Sequence, residues 1–156
     1  MAVRDELGNR MKEYYENIPK TKLMRRCPVI LRIDGKAFHT FTRNFQKPFD
    51  AILIKSMQET MKYLCENIQG CVLGYTQSDE ITLILVDYKK FTSQAWFDYE
   101  VQKMCSIAAS MATMKFNQVF KELSYRESEN LEIICRKNPY LENRDCLTKI
   151  SNVHTN

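Results

Sequence analysis

The sequence predicts an α+β fold in which a small antiparallel sheet carries helices on one face. An apolar run rich in β-branched residues, Val29 to Ile33, is followed by a helical pattern, two further strand-like runs and a long helical pattern. This β-α-β-β-α order begins the ferredoxin-like βαββαβ unit. At 156 residues the chain suits one domain, and 44% hydrophobic with 27% charged residues is a globular composition.

A short amphipathic helix is predicted over residues 4 to 17, ahead of the first strand. Its apolar residues recur at helical spacing, namely Leu7, Met11 and Tyr14. We expect this helix to pack on the outside of the domain. The strand that follows, Val29 to Ile33, stops at Asp34-Gly35.

The next segment, residues 36 to 49, shows no clear period and is predicted to be a loop with one helical turn. Asp50 can then cap a helix that ends near Gly70. One side of this helix is expected to face the core and carries Leu53, Met57, Thr60, Met61 and Leu64.

Two strand-like runs, Cys71 to Thr76 and Ile81 to Val86, flank turn residues 77 to 80 and predict a hairpin. Ser93 is expected to cap a long helix over about residues 94 to 121. Small residues on one side would let this helix lie close to the sheet: Cys105, Ala108, Ala109 and Ala112.

Composition argues against several classes of protein. The apolar runs are far shorter than the ~20 residues that cross a bilayer, and the N-terminus lacks the apolar core of a signal peptide, so we expect a cytoplasmic protein with no membrane partner. Six cysteines without a Cys-x-x-Cys pair are interpreted as buried thiols rather than zinc ligands. A net charge of +4 permits binding to a polyanion.

Two carboxylates are the candidate catalytic groups. Asp34 ends the first strand, and Asp79 lies in the hairpin turn beside Glu80. Because the first strand lies beside the hairpin in a βαββ arrangement, Asp34 and Asp79 can meet at one edge, where their repulsion favours a bound cation. Magnesium suits carboxylates, water and phosphate oxygens, and the Gly35 carbonyl is a further candidate ligand. Asp-Gly and Ser-Asp also suit ordinary turns, which is the alternative interpretation.

Three blocks of sequence carry further information: LRIDGKAFHTF at residues 31–41, KPFD at 47–50 and GYTQSDEI at 74–81. Together they closely resemble the tRNA-His guanylyltransferase family. With LGNRMK at residues 7–12, they are most similar to its bacterial, archaeal and phage-type branch of tRNA repair polymerases. The resemblance extends from about residue 5 to about residue 118.

The resemblance implies a fold like the palm domain of polymerases and an enzyme that works in the 3′-to-5′ direction. Such a nucleotidyltransferase activates a tRNA 5′ end with ATP or GTP and adds a nucleotide, typically GMP from GTP, in 5′-end repair or tRNA-His maturation. It also implies two Mg²⁺ ions as cofactors, tRNA and nucleoside triphosphates as partners, and a homotetramer.

By match to these motifs, Asp34, Asp79 and the Gly35 carbonyl would hold the two magnesium ions, and Glu80 adjoins them as a catalytic residue. The implied nucleotide-binding residues are Lys36, Ala37, Phe38, His39, Lys47 and Ser78. Arg32 and Lys103 are further candidates for neutralising charge, each of which can equally be a surface charge. Residues interpreted as core rather than as base-stacking platforms are Phe38, Phe41 and Trp96.

The C-terminal part departs from the family pattern. Beyond about residue 118 the family carries a Phe-Asp-Ala-Arg strand, a Trp-Arg-Gln block and an Asn-Ser pair, and none of them occurs in residues 122–156. We therefore predict a palm-like catalytic domain over residues 1–121, with a candidate closing strand at residues 131–135, and a divergent or truncated segment over residues 122–156. The metal and triphosphate elements are expected to be intact.

Two other functions stay open from sequence alone. A nucleotidyl cyclase-like palm enzyme would share the fold, although the sequence has no Gly-Gly-Asp-Glu-Phe block. A non-catalytic ferredoxin-like RNA-binding module would present aromatic residues on its central strands. The corresponding strands here carry Leu31, Ile33, Leu83 and Leu85.

Overall fold

A computed structural model describes residues 6–137 of the chain. The helices are α1 (Glu6–Met11, continued by a π-helical turn over Lys12–Glu16), α2 (Phe38–Phe41), α3 (Ala51–Asn67) and α4 (Val101–Lys137), and a 3₁₀ turn covers Trp96–Tyr99. The strands are β1 (Val29–Asp34), β2 (Cys71–Gln77) and β3 (Glu80–Leu85). Over this range, no helix combines the length and apolar character needed to span a bilayer.

The three strands form one antiparallel sheet in the order β1-β3-β2. This is the order expected for the βαββ part of the predicted fold. In the register, Asp34 at the end of β1 lies opposite Glu80, and Glu80 also lies opposite Gln77 at the end of β2. The end of β1 and the β2–β3 turn therefore meet at one end of the sheet.

Alternation along the strands separates a buried face from an open face. Leu31, Leu83 and Leu85 are buried, and α3 and α4 pack on their side of the sheet. The other face presents Arg32 and Tyr75 to solvent. Burial of the leucines against two helices, at about 25 cal/mol per Å² of apolar surface, is the main contribution to holding the layers together.

Helix α3 begins as predicted at Asp50, whose Oδ1 accepts a hydrogen bond of 2.9 Å from the backbone N–H of Leu53. The predicted inner face is also confirmed, with Met57, Thr60 and Leu64 buried. Helix α1 has no buried residue, which confirms that it lies on the outside of the domain.

The predicted start of the long helix is wrong. Ser93 accepts a hydrogen bond from the backbone N–H of Lys90 instead of capping a helix, and α4 begins at Val101. The intervening residues Phe97, Asp98 and Tyr99 have positive φ angles of 48°, 53° and 54°, which no right-handed helix allows. Burial of Trp96 and Tyr99 stabilises this turn against the core.

The predicted stripe of four small residues facing the sheet is confirmed for two of them. Ala108 and Ala112 are buried, but Cys105 and Ala109 are exposed, because the buried stripe runs through Met104 at four-residue spacing. The interpretation of the cysteines as buried thiols is likewise wrong for Cys105, which is exposed, and Cys27, Cys65 and Cys71 are only partly buried.

The candidate closing strand at residues 131–135 is also wrong, since these residues belong to α4. No Gly or Pro interrupts the sequence from Val101 to Lys137, so nothing in it ends the helix earlier. The helix continues across the predicted domain boundary between residues 121 and 122, and that division stays a prediction. Residues 138–156 lie outside the described range.

The segment between α1 and β1 is fastened by ion pairs. Arg25 donates hydrogen bonds of 2.7 Å to the buried carboxylate of Asp87 and of 2.9 Å to Asp98, and the backbone N–H of Arg26 donates to Asp87 at 2.8 Å. Lys22 also pairs with Asp98. The hydrogen bond from Arg25 holds the pKa of Asp87 below its usual value despite the burial of the carboxyl group.

Candidate active site

Both predicted catalytic aspartates line one cleft of about 410 Å³. Asp34 and Asp79 lie at the sheet end of the cleft, beside Gly35 and Lys36. Its apolar lining comes from Ile33, Phe38, Phe41, Met57, Ile81, Ala112 and Phe116. Two carboxylates, one at the end of β1 and one in the β2–β3 turn, thus share a partly enclosed volume that is large enough for a small ligand.

The hairpin turn places Asp79 next to the end of β1, beside the Asp34–Glu80 pair. The turn between β2 and β3 has only two residues, and Ser78 adopts a left-handed conformation with φ 55°. The Ser78 hydroxyl donates a hydrogen bond of 3.0 Å to Oδ1 of Asp79. Because a two-residue turn with positive φ matches the twist of the strands, the carboxylate is held by the fold itself.

Glu80 lies next to the cleft and does not line it. Its carboxylate forms an ion pair with Arg32 on the open face of the sheet. Its backbone carbonyl accepts a hydrogen bond of 2.9 Å from the Thr76 hydroxyl. Arg32 and Glu80 therefore neutralise each other's charge next to the two aspartates.

The loop after β1 turns tightly around Gly35. A Cβ at this position would lie 2.2 Å from the ring of Phe38, so the close approach of the ring requires glycine. Ala37 has φ 56°, which reverses the chain into the short helix α2. Lys36 and Phe38 consequently line the cleft, whereas Ala37 and His39 do not.

Five phenylalanine rings fasten this loop to α4. Phe38 packs edge-on against Phe116 with ring centroids 5.5 Å apart, and Phe41 lies 5.4 Å from Phe120. Phe45 stacks on Phe120 at 5.8 Å. Aromatic pairs of this kind contribute about 0.5–1.5 kcal/mol each beyond their burial, so the loop has a fixed place relative to the aspartates.

The model of the family described as tRNAHis guanylyltransferase matches residues 8–147 of this chain. The chain belongs to the tRNAHis guanylyltransferase family. The match includes every predicted site residue and extends well beyond residue 118, where the recognisable motifs end.

Individual relatives are similar over most of this chain. The chain is 34% identical over 143 residues to an uncharacterized protein of Acanthamoeba polyphaga mimivirus, covering 85% of this chain and 48% of the relative. It is 29% identical over 122 residues to a probable tRNA(His) guanylyltransferase of Mus musculus, covering 76% of this chain and 39% of the relative. The chain thus spans less than half of the length of either relative.

A solved structure of a bacterial tRNA(His) guanylyltransferase-like protein in complex with GTP is similar in fold and sequence. The TM-score is 0.69 at 52% identity, and the match covers 76% of this chain and 54% of that one. This agrees with the predicted bacterial-type branch and with the predicted fold.

Other predicted residues of the tRNAHis guanylyltransferase motifs do not line the cleft. His39 and Lys47 are exposed on the loop between β1 and α3. Lys103 lies elsewhere on α4, with its ammonium 5.0 Å from the centre of the Phe97 ring. Trp96 is buried in the core as predicted, Phe38 packs against the core, and Phe41 is 38% exposed within the aromatic cluster.

Three polar residues of the cleft were not recognised from sequence. Thr60 faces it from α3, and Thr113 and Asn117 face it from α4. Thr113 and Asn117 are one helical turn apart, each directly after an inward-facing residue, Ala112 and Phe116. The spacing was visible in the sequence, but nothing in it indicated that this part of α4 reaches the aspartates.

The donor set at the aspartates suits magnesium. All its atoms are oxygens, from the carboxylates of Asp34 and Asp79 and the carbonyl of Gly35. Within residues 6–137 no group of three or more His, Cys, Asp or Glu side chains is placed to hold a metal ion. A site with two carboxylates fits an ion that completes its shell with water and substrate phosphates, as Mg²⁺ does.

Proposed function

We propose that this chain is the metal- and nucleotide-binding palm half of a nucleotidyltransferase that adds nucleotides, typically GMP from GTP, to the 5′ end of tRNA in the 3′-to-5′ direction. The observation that carries the proposal is the meeting of Asp34, Asp79 and the Gly35–Lys36 loop in one cleft. Membership of the tRNAHis guanylyltransferase family supports the choice of reaction.

The cleft offers complementary partners for a triphosphate. Lys36 lines the same cleft as the two aspartates, and its ammonium group can pair with phosphate oxygens there. Among the described residues, the backbone N–H groups of Lys36 and Phe38, which both line the cleft, donate to no other backbone group, so they can bind anionic oxygens. The fixed loop thus orients the phosphates before reaction, which lowers the entropic cost of reaching the transition state.

Asp34, Asp79 and the Gly35 carbonyl would hold the proposed magnesium ions. Two such ions, when bound, supply charge neutralisation for both the attacking and the leaving oxygen of an in-line displacement. In the first step, a tRNA 5′-phosphate oxygen attacks the α-phosphorus of ATP or GTP and pyrophosphate leaves. In the second step, the 3′-hydroxyl of an incoming GTP attacks the activated 5′-phosphorus, releasing the nucleoside monophosphate and a proton.

Ser78 and Lys47 have subsidiary roles in this proposal. The Ser78 hydroxyl, by its hydrogen bond to Oδ1 of Asp79, orients the carboxylate and is a positioning residue. Lys47 lies on an exposed loop where its ammonium can meet the phosphate of a bound polyanion. The proposed partners are tRNA, ATP and GTP. The proposed oligomeric state is a homotetramer, and the proposed location is the cytoplasm.

The open face of the sheet gives little support to the alternative of an RNA-binding module. On this face the paired strands β1 and β3 present no aromatic residue at four positions: Ile30, Arg32, Thr82 and Ile84. Base stacking on such modules depends on aromatic side chains at these central positions. Tyr75 on β2 is aromatic and exposed, but β2 is an edge strand. The Tyr75 hydroxyl donates a hydrogen bond of 2.8 Å to Oε1 of Gln77.

An extension assay tests the proposal. The chain is mixed with 5′-monophosphorylated tRNA lacking its first nucleotide, magnesium, ATP and labelled GTP, and we expect label at the tRNA 5′ end. The label should be lost with Asp34→Asn or Asp79→Asn and kept with Glu59→Gln, which alters a partly exposed carboxylate that is paired with Lys55 on α3.

Other outcomes of this assay contradict the proposal. Cyclic product from GTP alone would assign the cleft to a cyclase. RNA binding that is unchanged by Asp34→Asn, without extension and without magnesium-dependent GTP binding, would assign the chain to the non-catalytic class.

A further inference from the structure

Three sulfur-containing side chains lie between α3 and β2, outside the lining of the aspartate cleft. Met61 and Cys65 are one helical turn apart on α3, and Cys71 is the first residue of β2. Cys71 lies opposite Leu85, whose side chain is fully buried. Because directly paired residues share a face of the sheet, the Cys71 side chain points towards α3.

Gly74 shows that the sulfur atoms converge. A Cβ placed on Gly74 would lie 2.4 Å from the Cys65 Sγ and 3.3 Å from the Met61 Sδ. Both sulfur atoms therefore surround one point above β2 that glycine leaves free. The Cys71 thiol, on the face of β2 that is turned towards α3, lies close enough to raise the pKa of Cys65, which adds the third sulfur to this cluster.

The surroundings of Cys65 disfavour its thiolate form. Burial first, and then the neighbouring thiol of Cys71, raise the pKa of Cys65 to about 11. A neutral thiol reacts slowly with peroxides and disulfides, because the thiolate is the nucleophile. A metal ion that prefers sulfur can nevertheless displace the proton outright.

We propose that Met61, Cys65 and Cys71 form a binding site for a soft monovalent metal ion of the Cu(I) class. Two thiolates and a thioether are the ligands that this class of ion selects, whereas magnesium prefers oxygen ligands and zinc takes four ligands. On binding, each thiol S–H bond breaks, a sulfur–metal bond forms, and the two protons pass to solvent without any change in the oxidation state of the metal.

The ion can reach the site from solvent. A shallow groove of about 570 Å³ runs along α3 and β2, and Met61, Cys65 and Gly74 are part of its lining. The site is separate from the aspartate cleft, whose lining contains none of the three sulfur residues. The inference is therefore independent of the proposed nucleotidyl transfer.

Anaerobic titration with Cu(I) from a coloured competing chelator tests the site. The starting protein carries Cys27, Cys105, Cys135 and Cys146 replaced by Ser, which leaves Cys65 and Cys71 as its thiols. We expect one ion per chain, a sulfur-to-copper absorption in the ultraviolet, and release of two protons per ion.

Single substitutions locate the ligands. Cys65→Ser and Cys71→Ser should each weaken binding by about tenfold or more, and Met61→Leu, which keeps the volume of the side chain, should weaken it by a smaller factor. Circular dichroism checks that each variant is folded, and Met61→Leu keeps the test decisive if a serine variant unfolds.

Cys105 supplies the matched control, because it is an exposed cysteine on another helix. Restoring Cys105 should add at most a second, weaker event. Unchanged Cu(I) affinity in Cys65→Ser or Met61→Leu, or a Cys65–Cys71 disulfide that forms in air in a protein without Cu(I) affinity, would overturn the proposal.

Discussion

Gly35 follows Asp34 directly, and the ring of Phe38 occupies the space where a Cβ would lie. The residue thus connects two features of the cleft, the carboxylate that ends β1 and the aromatic cluster that fixes the loop. The sequence predicts a place for Gly35 at the metal site through its carbonyl. The structure adds a packing reason for glycine that only the position of Phe38 could reveal.

Gly35→Ala should destabilise the protein by about 1–3 kcal/mol, because the added methyl group must displace the Phe38 ring or the backbone. The same displacement should weaken GTP binding, since the loop lines the cleft. Urea unfolding and GTP titration measure the two effects. Ser110→Ala, at an exposed position of α4, is the control and should change stability by less than about 0.5 kcal/mol. Wild-type stability in Gly35→Ala would contradict the packing account.

Substitution of Asp87 is expected to lower the stability of the fold in a pH-dependent way. Its pKa is lowered in the folded state, chiefly by the hydrogen bond from Arg25, so its contribution to stability is present above the ordinary aspartate pKa of about 3.9 and is lost as the pH falls through the lowered value. Asp87→Asn should therefore lower the melting temperature at pH 7, and the difference from wild type should shrink below about pH 4. Thermal unfolding across this range measures it.

Asp98→Asn provides the comparison for Asp87. Asp98 also pairs with Arg25 but is exposed, so solvent screens its interaction and the loss of stability should be smaller. Equal losses for the two variants, or a difference between Asp87→Asn and wild type that is independent of pH, would contradict the role given to the buried carboxylate.

At the scale of elements, α3 depends on its N-terminal cap. Asp50→Ala removes the acceptor of the Leu53 N–H and should cost about 1 kcal/mol in unfolding free energy, whereas Asp50→Asn retains an oxygen acceptor and should cost much less. Chemical denaturation of both variants distinguishes the cap from the charge. Equal losses for Ala and Asn would show that the charge of Asp50, and not its capping hydrogen bond, is what matters.

The strands and α3 were predictable because local signals agreed with the packing. The alternation around Leu83 and Leu85, the Asp50 cap and the Ser78-Asp79 turn each specify the structure that forms. The start of α4 was not predictable. The three consecutive residues from Phe97 to Tyr99 adopt left-handed φ angles although none of them is glycine. Burial of Trp96 and Tyr99 stabilises this turn.

The prediction of a strand at residues 131–135, which form the last part of α4, is wrong for a different reason. Residues 131–135 contain isoleucines that suit a strand, but they follow an unbroken helical segment and form its continuation. Within the described residues the sheet therefore has three strands, and β1 is an edge strand. Propensity over five residues was too weak a signal against the cooperativity of a helix already formed.

At the scale of the whole molecule, the order of the strands brings the candidate site together. Once β1 pairs with β3, Asp34 must lie opposite Glu80 and next to the turn that carries Asp79. This convergence could be predicted from the βαββ topology. The contribution of Thr113 and Asn117 could not, because it depends on the angle at which α4 crosses the sheet.

The central claim is that Asp34 and Asp79 act at one magnesium–triphosphate site, and titration of GTP in the presence and absence of magnesium tests it most directly. We expect magnesium-dependent binding that falls by about tenfold or more with either Asp34→Asn or Asp79→Asn, because each removes a charged ligand from the same site. The double variant should bind hardly more weakly than each single variant, as expected for residues that share one ligand. Binding that survives in either single variant, or losses that add independently, would contradict the shared site.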